Sequence, residues 1–240
     1  MPVLPLVKAL VLAGCGSRRR MAEAVKQGRV LVNGEVAASF TQAVDVEQDL
    51  LVLDGQAVKP VPDKPVYLLL NKPAGFLSTT RDERGRPTAM DLLPEKYKHQ
   101  NLYPVGRLDL DSRGLLLLTN DGDLTFRLTH PRFEKEKEYL VELDRPLSEA
   151  DSVRFEAGLE LEDGLTRPVR LSRRREIPPL YSVVLHEGRK RQLRRMFGSL
   201  GYKVADLQRI RMGSFTLGTL AEGETRELSA AEKAEILKPA

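Results

Sequence analysis

Gly106-Arg107-Leu108-Asp109-Leu110-Asp111-Ser112-Arg113-Gly114, followed at once by Leu115-Leu116-Leu117-Leu118, is the stretch from which the architecture can be worked out. A short apolar run bounded by Gly114 on one side and Thr119-Asn120-Asp121-Gly122 on the other reads as a buried strand. Two carboxylates between two arginines then lie on a loop anchored to a rigid sheet, where a catalytic carboxylate belongs. An arginine in contact with an aspartate favours its ionised form, which suits a nucleophile and does not suit a general acid. The same residues also suit a solvated Asp/Arg turn, and these residues alone leave both readings open.

Working outward, Val3, Leu6, Val7 and Leu10 recur at helical spacing, so a helix with one buried stripe is expected there, with Gly14 at its end. Ser17 is placed to cap a second helix from Arg18 to Gln27, closed by Gly28. Val30-Leu31-Val32 with Asn33-Gly34, and Leu50-Leu51-Val52-Leu53 with Asp54-Gly55, are two hairpin signals. Residues 1–58 therefore read as two short helices followed by a small sheet. Three prolines in 59–65 predict a linker. Beyond it, strands are expected at 66–70, 115–118, 138–143 and 181–185, with helices starting near Ser148 and spanning 189–200. The fold class is α+β: a small N-terminal domain and a larger domain, 66–240, on a mixed sheet flanked by helices.

The formal charge of +4 on 240 residues hides an asymmetry. Residues 165–215 hold 13 Lys and Arg against 3 Asp and Glu, which leaves the remainder of the chain net acidic. Residues 1–34 carry six basic side chains and one acidic, with Arg18, Arg19, Arg20, Lys26 and Arg29 around the second helix. Basic faces of this kind suit a polyanion, and a helix N-terminus beside three arginines suits a phosphate; solubilising surface charge would look similar. One cysteine, Cys15, and three separated histidines exclude a disulfide framework and a zinc pattern. Gly14-Cys15-Gly16 lacks the third glycine of a dinucleotide fingerprint, no phosphate loop is present, and no apolar stretch is long enough to span a bilayer. The expectation is a cytoplasmic protein with no metal and no cofactor.

In the helix expected over 189–200, Leu193, Met196, Phe197 and Leu200 form the buried stripe. Arg191 and Arg195 lie on the polar side, and Arg194 at the margin, where its guanidinium can be held by packing while reaching a carboxylate or a phosphate. Tyr139 follows the charged run Glu134-Lys135-Glu136-Lys137-Glu138 and is one of 13 aromatic residues in a chain without Trp. By itself it reads as a strand-packing tyrosine, and the low aromatic content argues against base-stacking modules.

Four motifs in order, Asn71-Lys72-Pro73-Ala74-Gly75, Gly106-Arg107-Leu108-Asp109 with Gly114 to Gly122, Lys137-Glu138-Tyr139, and Glu187-Gly188-Arg189-Lys190-Arg191-Gln192-Leu193-Arg194-Arg195-Met196, resemble the bacterial ribosomal-RNA pseudouridine synthases of the RsuA/RluB type. The first 58 residues resemble the alpha-L RNA-binding domain, of the ribosomal-protein-S-four type, that the family carries at its N-terminus. The resemblance implies a mainly antiparallel catalytic sheet. It implies that Asp109 is the catalytic aspartate, that Tyr139 stacks on the target base, and that Arg194 pairs with Asp109. Ser112 stands where the family more often has threonine and keeps the hydroxyl.

The reaction so implied breaks the bond between base and sugar, turns the base and rejoins it through carbon five, with nothing oxidised or hydrolysed. One ionised carboxylate, one proton-handling group and a dry pocket suffice for that. Arg18, Arg19, Arg20, Lys26, Arg29, Arg107, Arg189, Lys190, Arg191 and Arg195 are the expected RNA contacts. The expected partner of a monomeric protein is ribosomal RNA or a ribosome assembly intermediate, and no membrane. Two rivals are a non-catalytic RNA-binding factor using the same surfaces and a carbohydrate-active enzyme using Asp109 and Asp111 as an acid/base pair.

Overall fold

The structure, a computed structural model, describes residues 3–59 and 64–237, so residues 60–63 of the expected linker lie outside the described residues. The chain divides into two compact units, Met1–Lys64 and Pro65–Ala240.

In the first unit a strand, β1 (Val3–Pro5), leads into α1 (Leu6–Leu12), and α2 (Arg18–Lys26) follows. Leu6, Val7, Ala9 and Leu10 are buried in one cluster with Met21, Ala24 and Val25. The helix expected to include Val3 instead begins at Leu6. Pro5 disfavours helical backbone in the residue before it, so Val3 and Leu4 are extended and pair with Asp45 and Val44. Ser17 caps α2, its hydroxyl accepting from the Arg20 N–H. The strands β2 (Val30–Val32), β3 (Glu35–Val36), β4 (Ala43–Asp45), β5 (Leu51–Leu53) and β6 (Gln56–Val58) complete the unit. β3, β2, β5 and β6 form one sheet in that order, and β4 pairs with β1. Asn33-Gly34 and Asp54-Gly55 are the two hairpin turns, with positive φ at all four residues, which asparagine, aspartate and glycine tolerate.

The second unit contains β7 (Tyr67–Lys72), β8 (Tyr103–Val105), β9 (Arg113–Thr119), α3 (Gly122–Thr129), β10 (Lys137–Leu143) and α4 (Glu149–Ala157). A small hairpin of β11 (Glu160–Leu161) and β12 (Gly164–Leu165) precedes β13 (Arg170–Arg175), β14 (Leu180–Leu185) and α5 (Gln192–Ser199). β15 (Val204–Met212), β16 (Phe215–Thr216), β17 (Thr225–Glu227) and α6 (Ala230–Leu237) follow. The sheet runs β13-β14-β10-β15-β9-β7-β17, with β8 on β9 and β16 on β15. The β15–β9 pair is parallel and the other pairs are antiparallel.

β9 explains its own sequence. Leu115, Leu116, Leu117 and Leu118 are all fully buried: Leu115 and Leu117 join Leu124, Leu128 and Phe215 on one side, while Leu116 and Leu118 join Leu93, Tyr97 and Leu108 on the other. A strand covered on both faces loses polar alternation and reads as a continuous apolar run. α5 covers a third cluster, in which the Phe197 ring stacks on Phe155 of α4 at 4.3 Å. It starts at Gln192, three residues later than its spacing predicts, because Arg191 takes a left-handed φ of 49° and the Gln192 side chain accepts from the Arg189 N–H at 3.1 Å.

Candidate active site

The loop between β8 and β9 is fastened from below. The Ser78 hydroxyl accepts from the Leu108 N–H and donates to the Leu108 carbonyl, both at 3.0 Å. The Gly75 N–H donates to the Leu110 carbonyl at 2.7 Å, so the turn after β7 supports the loop that carries Asp109. Its far end is set by Gly114, at φ 106°, where a Cβ would lie 2.3 Å from the Arg209 carbonyl oxygen. Glycine alone permits β9 and β15 to meet there. Two parallel strands thus converge under the loop, the situation that holds a catalytic group within tight tolerance.

Asp109 lines a cavity of about 380 Å³, within the range of roughly 300–1,000 Å³ typical of ligand pockets. Tyr139, Lys137, Arg191, Leu193 and Arg209 share its wall, and Arg107 and Lys190 stand exposed at it. Asp109 and Tyr139, 30 positions apart in sequence, are therefore brought to one site. Arg194 is not placed as the resemblance implies. The Asp109 carboxylate has Arg191 as its ion-pair partner, at 4.0 Å. Arg194 donates from Nη2 to the Asp111 main-chain carbonyl at 2.8 Å and from Nη1 to the Val204 carbonyl at 3.0 Å, with Nε 3.3 Å from the Asp111 carboxylate. Arg191, left-handed at φ 49°, precedes α5 as its N-cap and its guanidinium reaches the loop carboxylates, while Arg194 in the first turn of α5 reaches the loop main chain. Arg191 also makes a two-bond pair with Asp111, both bonds 2.9 Å, and this guanidinium holds the Asp111 carboxyl below the usual carboxylate range.

Three further cations belong to this region. Lys72 is fully buried at the end of β7, its Nζ donating to the Pro73 carbonyl at 2.7 Å. Burial pushes its ammonium down to about 8, against the opposing pull of Asp109, Asp111 and Glu222. Lys137 is pushed down as well, by burial first and by the Arg209 charge second. Arg209 is 2% exposed, bonds the Leu115 carbonyl from Nε at 2.8 Å, and has no partner for Nη2. The reading of the sequence missed Arg209 and Lys137 as site residues. The signal for Lys137 was present: it stands two residues before Tyr139 on β10, hence on the same face. The signal for Arg209 was slight: Leu207-Gln208-Arg209-Ile210-Arg211 breaks the polar-apolar alternation once, at Gln208-Arg209, and such a break alone does not say which arginine turns inward.

The residues expected to meet RNA divide into two sets. Arg18, Arg19, Arg20 and Lys26 are exposed on α2. Arg107 and Lys190 are exposed at the cavity. Arg29 instead pairs with Asp54, Arg195 pairs through two 2.9 Å bonds with Asp163, and Arg189 ties Glu187 to the Gly164 and Leu165 carbonyls. The last two hold the β11–β12 hairpin against the start of α5.

Residues 66–199 match the model of the RNA pseudouridylate synthase family, and residues 4–41 match the S4 domain. The chain belongs to the RNA pseudouridine synthase family. It is 37% identical to the ribosomal large subunit pseudouridine synthase B of Bacillus subtilis (strain 168), over 95% of this chain and 93% of that one. It is 38% identical to the ribosomal small subunit pseudouridine synthase A of Yersinia pestis, over 93% of this chain and 94% of that one. A crystal structure of a pseudouridylate synthase superposes with a TM-score of 0.70 at 32% identity, covering 98% of this chain and 100% of the other. The cavity-lining residues from Gly106 to Leu193 fall inside the stretch that matches the family.

Proposed function

We propose that this RNA pseudouridine synthase isomerises a specific uridine in ribosomal RNA, with Asp109 as the catalytic aspartate and Tyr139 as the residue that stacks on the extruded base. The observation that supports this most is the joint placement of Asp109 and Tyr139 on one cavity with exposed basic side chains at its edge. Extrusion of a nucleotide costs a few kcal/mol, which contacts of Arg107 and Lys190 with the RNA backbone offset. Arg191 keeps a positive charge 4.0 Å from the Asp109 carboxylate. Arg194 is a positioning residue: it holds the loop through the Asp111 carbonyl and acts on Asp109 only through that main chain.

A glycosidase-like acid/base pair fits less well, because Asp111 is held ionised by Arg191 and has no proton to give. Arg18, Arg19, Arg20 and Lys26 supply phosphate contacts from the first unit. The enzyme acts as a monomer in the cytoplasm, on free ribosomal RNA or on an assembly intermediate.

Mapping pseudouridine in the ribosomal RNA of cells with and without the gene tests this reading. The expected result is the loss of at least one pseudouridine without the gene, restored by the wild-type protein and not by Asp109→Asn. An unchanged map contradicts it. The mapped position also decides between the large and the small subunit.

A further inference from the structure

On an unbroken antiparallel pair of strands, Arg209 and Arg211 would share one face of β15, since side chains two apart point the same way. They do not. Glu138 pairs with Arg211 and Tyr139 pairs with Arg209, so a single step along β10 spans two along β15, and Ile210 is the extra residue of a β-bulge. Arg211 then meets acids, its Nε 3.0 Å from Glu138 and its Nη2 2.9 Å from Glu136. Arg209 stands directly opposite Tyr139 on the cavity wall.

The environments of the two arginines are opposite in kind. Among the described residues, Arg209 and Lys137 make no ion pair with a carboxylate; Arg209 bonds the main-chain carbonyl of Leu115 and Lys137 that of Lys135. The Arg209 Nη2 has no hydrogen-bond partner, and neither has the hydroxyl of Ser112, which is 1% exposed and lines the same cavity. Burying a cation without a counter-charge is expensive, and an orphaned buried donor calls for a ligand that completes it. A negative charge that is absent at rest and arises during turnover would complete both.

We propose that Arg209, with Lys137 beside it, takes up the negative charge that collects on the oxygens of the uracil ring when the base leaves the ribose. The proposal rests on the reading of the Asp109 cavity as the uridine site. When the bond from N1 to the ribose C1′ breaks, its electron pair departs with the base, and the resulting anion is delocalised onto O2 and O4. An electron pair of the ring then forms the new bond from C5 to C1′, and the hydrogen on C5 leaves as a proton. The sum is an isomerisation, with one C–N bond exchanged for one C–C bond and the proton on C5 replaced by one on N1. Stabilisation is needed only between the two bonds, and a buried guanidinium opposite the stacking tyrosine supplies it there without occupying the position of a substrate phosphate.

The test uses the leaving ability of the base. Ribosomal RNA and its precursor particles from cells lacking the gene, grown with or without 5-fluorouracil, provide target sites with 5-fluorouridine or uridine; fluorine makes the base anion intrinsically more stable. Single-turnover loss of each nucleoside, read by mass spectrometry, gives a rate ratio of fluorinated to ordinary substrate for the full-length protein. Arg209→Met is expected to slow uridine about 10²–10³-fold at saturating RNA and to raise the ratio at least tenfold above that of the wild type. Arg209→Lys, which keeps the charge, is expected to recover most of the rate. Lys137→Met, at a less buried position, is expected to change the ratio in the same direction by a smaller factor, so a poorly folded Arg209→Met leaves the proposal testable. A ratio equal to that of the wild type in both Met variants overturns it and marks the pair as structural. Weakened RNA binding with an unchanged saturating rate overturns it in favour of a phosphate contact. If the wild type consumes neither substrate, the reading of the cavity itself fails.

Discussion

Asp109 and Asp111 are two residues apart and meet different surroundings. Asp111 is locked by both nitrogens of Arg191, while Asp109 faces the cavity with that same guanidinium at the edge of contact. Asp111→Asn is therefore expected to slow turnover by loosening the Arg191 and Arg194 clamp, roughly 10–100-fold, with the RNA affinity little changed; a loss as deep as that of Asp109→Asn would show that the roles are exchanged. Lys72 gives a residue-scale test in pH. Its folded-state value of about 8 lies below the usual value near 10.4, so between the two the unfolded chain binds more protons and stability rises with pH; below about 8 the buried charge weighs on the fold in full. Urea unfolding of wild type and Lys72→Met at pH 7.5 and pH 10 should show the wild type gaining on the variant by up to about 3 kcal/mol. A difference independent of pH contradicts the assignment.

At the scale of elements, β9 carries the architecture and was the most legible part of the chain. Four leucines bounded by glycine could be read as a strand buried on both faces because nothing but full burial tolerates such a run, and the Asn33-Gly34 and Asp54-Gly55 hairpins were legible for the equally local reason of positive φ. What escaped the reading depends on partners. The bulge at Ile210 decides that Arg209 turns inward, and the single break in alternation at Gln208-Arg209 does not by itself locate it. The start of α5 depends on the left-handed turn at Arg191, and with Arg191, Arg194 and Arg195 inside five residues, spacing could not say which guanidinium meets which carboxylate. Gly114→Ala tests the junction of β9 and β15. Its Cβ would lie 2.3 Å from main-chain oxygen at a φ that alanine resists, so a loss of several kcal/mol in stability is expected in thermal or chemical unfolding. A near-neutral result would mean that the two strands can part without harm.

At the scale of the molecule, the modest net charge of +4 conceals basic surfaces that match a polyanionic partner. RNA affinity should fall linearly on a log-log plot against salt, and replacing Arg18, Arg19 and Arg20 together by alanine should reduce the slope by about 2, with turnover at saturating RNA retained. An unchanged slope would remove those arginines from the interface. On the proposed function the two units have separable tasks, RNA binding by the exposed cations of the first and chemistry in the cavity of the second.

The central claim is that the Asp109 carboxylate acts on an extruded uridine, and tritium release from ribosomal RNA carrying uridine labelled at carbon five measures it most directly. The account predicts that Asp109→Asn binds the RNA as tightly as the wild type and releases tritium at least 10³-fold more slowly. Release by Asp109→Asn at a rate near that of the wild type would contradict it.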